Sequence, residues 1–189
     1  MTESEFKQFT AQGYNRIPLV LETFADLDTP LSVYLKLANR PWSYLLESVQ
    51  GGERFGRYSF IGLPAQTRFE IRGHLCTEYR GERIVDQGEH ADPLDYVRAC
   101  QARYKAALPK GLPRFCGGLV GIFGYDTVRY IEPRLAGTTK PDPLGTPDIL
   151  LLLSEELAVV DNLSGKLFLI VFADPAQASA YERALQRLQ

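Results

Sequence analysis

The stretch DILLLLSEELAVVDNLSGKLFLIVFAD, residues 148–174, constrains the fold more than any other part of the chain. Two apolar segments flank NLSGK, whose asparagine, serine and glycine mark a turn. LFLIVFA is apolar at every position. That is the pattern of a strand buried inside a sheet, not the in–out alternation of a half-exposed one. Ser154, Glu155 and Glu156 break the preceding run, so this segment does not reach the 18 apolar residues expected of a bilayer span.

The rest of the chain supplies neighbours for such a strand. IPLVLETF (17–24), WSYLLES (42–48), YSFIG (58–62), TRFEIRG (67–73), LCTEYRG (75–81), RIVDQG (83–88) and GGLVGIFGYD (117–126) all read as strands. Three segments begin with a capping residue followed by proline, at Thr29, Asp92 and Asp174. Proline at the first helical position forfeits no useful N–H, and the preceding Thr or Asp can cap the free amides. All three read as helices, with a further short one at 3–11. The stretch 131–148, with four prolines, reads as a long loop. The expected class is α+β: a mainly antiparallel β-sheet, about eight or nine hairpin-linked strands, and three or four helices. At 189 residues the chain fits one domain, 1–189, with a real core. It stops within ERALQRLQ with no glycine stop, which suggests the first part of something longer.

Composition removes several function classes. A net charge of −2 and no basic stripe argue against a nucleic-acid or anionic-membrane partner. The polar, acidic MTESEFKQFTAQG is no secretory signal. Cys76, Cys100 and Cys116 are odd in number and widely spaced, with only His74 and His90 as further soft ligands. They read as reduced thiols of a cytoplasmic protein rather than as a metal set. There is no G-x-S-x-G and no phosphate loop; Gly118, Gly121 and Gly124 read as places where another backbone approaches closely.

One hairpin carries more polar chemistry than a turn needs. In YLLESVQGGERFGRYSFIG, residues 44–62, Glu47 and Ser48 end one strand and Arg57 begins the next. One reading is structural, with Glu47 pairing with Arg54 or Arg57 across the turn; exposed pairs of this kind contribute little. The other starts from what a free amino acid demands. Its ammonium needs a carboxylate and a hydroxyl or carbonyl, its carboxylate needs a cation, and its side chain needs an apolar slot. Glu47, Ser48 and Arg57 supply the first three, and Leu45 or Leu46 could line the fourth. Spacing alone does not choose between the readings.

LLESVQGGERFGRYSFIG and the upstream IPLVLETFADLDTPLSVYLKLA closely resemble the N-terminal region of anthranilate synthase component I. So do GGLVGIFGYDTVRYIE and PDILLLLSEELAVVDNLSGKLFLIV, and the resemblance runs in order along nearly the whole chain. It implies half of a larger α/β/β/α sandwich enzyme whose full chain converts chorismate to anthranilate and pyruvate. That reaction uses Mg2+ and ammonia, the latter from glutamine through a glutamine amidotransferase subunit, component II. It is the first committed step of tryptophan synthesis and is inhibited by L-tryptophan. The resemblance assigns Glu47 and Ser48 to that inhibitor site, with Arg57 as the matching basic residue. The chorismate and Mg2+ residues of the family lie in a C-terminal catalytic domain whose motifs are not in this chain, so no catalytic or metal residue is expected here. The sister enzyme making aminodeoxychorismate for folate, and a free-standing amino-acid-binding module, are the alternatives.

Overall fold

The computed structural model describes the chain from Met1 to Gln189 apart from residues 26, 48–55, 136 and 138–141. It divides into two compact units. The first comprises Met1–Ala65, Tyr104–Gly118 and Ser154–Gln189, the second Gln66–Arg103 and Leu119–Leu153.

The first unit is built on a five-stranded sheet formed by β1 (Ile17–Phe24), β2 (Tyr44–Leu46), β3 (Tyr58–Gly62), β9 (Glu156–Asp161) and β10 (Lys166–Ala173), in the order β1-β10-β9-β3-β2. All its pairings are antiparallel. The apolar run of β10 is an interior strand, as its sequence requires, with β1 on one side and β9 on the other. Its side chains separate by the period of two. Leu169, Val171 and Ala173 join Ile17 and Leu19 against Phe6 of α1 (Glu3–Ala11) and Ala184 and Leu188 of α5 (Ala180–Leu188). Phe168, Ile170 and Phe172 pack with Leu157, Val159, Phe115 and Cys116. A third cluster puts Val33 of α2 (Pro30–Leu37) on Ile61, Ala158 and Val160. Pro18, which has no N–H for a ladder, sits in the edge strand β1.

The second unit carries β4 (Thr67–Arg72), β5 (Leu75–Arg80), β6 (Arg83–Glu89), β7 (Gly118–Phe123) and β8 (Ile149–Ser154), in the order β6-β5-β4-β8-β7. Helix α3 (Pro93–Ala102) lies against β5 and buries Tyr96 and Cys100. A single turn, α4 (Val128–Ile131), follows a 3-10 segment at Tyr125–Thr127.

The class is α+β with antiparallel sheets. Three details differ from the sequence reading. The apolar run 148–161 splits at Glu155 into β8 and β9, which belong to different sheets, so there are two sheets rather than one. Of the described residues 42–47, only Tyr44–Leu46 is strand. The Asp174-Pro175 signal opens a turn rather than a helix. Asp174 Oδ1 accepts the Ala176 N–H at 3.0 Å, and α5 starts only after Ser179, whose φ is 50°. The other two signals do cap helices. Thr29 Oγ1 accepts the Ser32 N–H at 3.1 Å, and Asp92 Oδ1 accepts the Leu94 N–H at 2.8 Å.

At the end of the hairpin away from its connecting loop, Tyr44 lies over Gly62, its register partner, and the phenol reaches Ser154 Oγ at 2.7 Å. A Cβ on Gly62 would stand 1.9 Å from that ring. Gly62→Ala is therefore expected to swing Tyr44 off the sheet and cost about 1–2 kcal/mol, read as a lower denaturant midpoint.

Candidate amino-acid-binding site

The site begins with the hairpin register. Tyr44 pairs with Gly62, Leu45 with Ile61 and Leu46 with Phe60, which puts Glu47 and Arg57 at the loop-joined end of the same two strands. Alternation sends Leu45 into the cluster of Val33, Ile61, Ala158 and Val160, while Leu46 is 47% exposed. Of the two leucines, Leu46 is the one free to line a slot. Glu47 is exposed and makes no ion pair or hydrogen bond among the described residues. Ser48 and Arg54 lie outside the described residues.

Arg57 does not pair with Glu47. Its guanidinium grips Asp161 at the end of β9, with Nη2–Oδ2 at 2.7 Å and Nε at 3.1 and 3.2 Å from the two carboxylate oxygens. Its Cζ sits 4.9 Å from the centre of the Tyr58 ring. Asp161 is buried, and its Oδ1 also accepts the N–H of Leu163 at 3.1 Å and of Ser164 at 3.4 Å. The next residue ties the same strands. Asn162 Nδ2 donates to Gly56 O at 3.2 Å and to Ser59 Oγ at 3.0 Å, and the Asn162 N–H to Arg57 O at 2.7 Å. Sequence reasoning missed Asp161. The available signal was an aspartate closing an otherwise apolar strand, where a buried carboxylate requires a cation or several N–H donors.

The Arg57 guanidinium beside Asp161 holds its carboxyl down at about 2, against an ordinary 3.8; the turn N–H groups act in the same sense and burial opposes them. Because the folded state binds this proton less readily than the unfolded chain, the contribution to stability is complete above about pH 4 and is lost as pH falls through 2. Allowing for the half-exposed arginine, it amounts to about 1–2 kcal/mol. Denaturant melts from pH 5 to pH 2 are expected to show that loss in the native chain and not in Asp161→Asn.

No family model matches the chain. Individual relatives do. It is 59% identical over 192 residues to anthranilate synthase component 1 of Neisseria meningitidis serogroup C, covering 100% of this chain and 39% of that protein. It is 55% identical over 189 residues to the Pseudomonas aeruginosa protein of the same name, covering 100% and 38%, and 40% identical over 178 residues to the Aquifex aeolicus one, covering 92% and 35%. Along its whole length the chain matches the N-terminal region of anthranilate synthase component I from several organisms. It spans about two-fifths of the length of the curated relatives it matches.

The crystal structure of anthranilate synthase component I from Streptococcus pneumoniae superposes with a TM-score of 0.54 at 23% identity, covering 88% of this chain and 35% of that one; the likeness is one of fold. Among the described residues, no group of three or more His, Cys, Asp or Glu is placed to hold a metal ion. Cys76, Cys100 and Cys116 are buried and unpaired, and burial pushes all three thiols up. His74 Nδ1 is hydrogen-bonded to the His90 carbonyl at 2.9 Å. No helix among the described residues is long and apolar enough to cross a membrane.

Proposed function

We propose that the chain is the N-terminal regulatory region of a cytoplasmic anthranilate synthase component I, and that its β2–β3 hairpin forms one wall of the L-tryptophan feedback site. The whole enzyme converts chorismate and ammonia to anthranilate and pyruvate. Ammonia comes from glutamine through component II, and Mg2+ and chorismate are bound by the C-terminal catalytic domain. Residues 1–189 act as one regulatory domain alongside it. The observation that carries this reading is identity of 55–59% along the entire chain to relatives of that name.

The hairpin supports the regulatory part by its chemistry. Glu47 offers an exposed carboxylate to the ammonium of the amino acid, and Ser48 a hydroxyl next to it in sequence. Arg57 offers a cation to the carboxylate, and Leu46 an apolar surface. L-Tryptophan bridging this wall and the catalytic domain stabilises whichever arrangement completes its pocket; inhibition follows when that arrangement binds chorismate or receives ammonia poorly. The test is to supply the full-length protein with chorismate, ammonia and Mg2+ and identify the product. Anthranilate whose formation falls on adding L-tryptophan supports the reading. Aminodeoxychorismate as product, or anthranilate formation indifferent to L-tryptophan, overturns it.

A further inference from the structure

A guanidinium can serve two carboxylates, one along its Nε–Nη2 side and one at its outer end. In Arg57 the side is taken by Asp161, while Nη1 makes no hydrogen bond among the described residues and the side chain is 42% exposed. The partner is itself held. Asp161 is 2% exposed, and the Leu163 and Ser164 N–H groups fix its carboxylate to the β9–β10 turn. Asn162 secures the backbone on either side of Arg57 through Gly56 O, Arg57 O and Ser59 Oγ. A loose arginine gives up rotamer freedom when it meets an anion, whereas one already gripped side-on does not.

We infer that Asp161 is a positioning residue for the amino-acid site: by gripping one side of Arg57, it presents the outer end of the guanidinium, already oriented, to the carboxylate of the ligand. This rests on the reading that Arg57 receives the carboxylate of L-tryptophan. Two effects of Asp161 oppose each other in sign. Orientation strengthens binding, while its negative charge, next to the cation, weakens the pull on an anion. The placement of Asp161 away from the open end of Arg57 makes orientation the larger effect.

The experiment is calorimetric titration of the full-length protein with L-tryptophan, comparing wild type, Asp161→Asn, Asp161→Glu, Arg57→Ala, Glu47→Gln and the double variant Arg57→Ala/Asp161→Asn. Orientation predicts that Asp161→Asn weakens affinity roughly 10-fold, the order of one charge-assisted hydrogen bond. Asp161→Glu, which keeps the charge but shifts the carboxylate, weakens it too. In the Arg57→Ala background Asp161→Asn adds nothing further, because Asp161 acts through that side chain; a merely structural aspartate would still lower affinity there. Unchanged or tighter binding by Asp161→Asn, in a protein whose Glu47→Gln and Arg57→Ala variants bind weakly, overturns the positioning role and leaves the site standing. Affinity unmoved by Glu47→Gln and Arg57→Ala removes the site reading, and the positioning role with it.

Discussion

Gly121→Ala is expected to be the most damaging single-methyl change in the chain, lowering stability by about 3 kcal/mol and the melting temperature by roughly 10 °C. Gly121 lies in the edge strand β7, beside β8. A Cβ there would stand 1.9 Å from the Leu150 carbonyl oxygen and 3.0 Å from Leu151 Cα. Both obstacles are backbone, so no rotamer change relieves the clash. The strand itself has to move, and ladder bonds of the second sheet go with it. Gly62→Ala makes a useful contrast: it meets an equally close obstacle, but that obstacle is the Tyr44 ring, which can turn away. Equal melting temperatures for the two variants would show that β7 has more room to shift than this close approach implies.

The second large effect is on regulation. Glu47→Gln is expected to raise the L-tryptophan concentration needed for half-inhibition of the full-length enzyme by roughly 10- to 100-fold, the range of one hydrogen bond to a charged group. The exposed carboxylate has no cation of its own among the described residues. The loss falls on the ammonium of the ligand. The quantity to read is the rate of anthranilate formation with L-tryptophan divided by the rate without it, variant by variant, which cancels any change in turnover. Inhibition curves that coincide for Glu47→Gln and the native enzyme would place the ammonium of tryptophan elsewhere.

How much of this was legible in the sequence depends on the distance over which each feature is decided. Thr29-Pro30 and Asp92-Pro93 could be read as helix starts because a cap is settled within three residues. Asp174-Pro175 has the same letters, yet the carboxylate serves a turn, because the helix that must pack on β10 begins six residues later. The apolar run 148–161 was readable as strand. Its change of sheet at Glu155 was not, since hydropathy carries no record of which neighbour a strand will find. The site divides in the same way. Glu47 and Arg57 stand out by residue type at two strand ends that a hairpin brings together. Asp161 is 104 residues from the arginine it holds, so only the meeting of β3 with β9 reveals it.

The central claim, that this hairpin holds an amino acid, is tested most directly by calorimetric titration of the full-length protein with L-tryptophan, with L-phenylalanine as control. The account predicts saturable, tryptophan-selective heat that is strongly diminished in Glu47→Gln. Selective heat that persists undiminished in that variant, or no heat from the native protein, would contradict it.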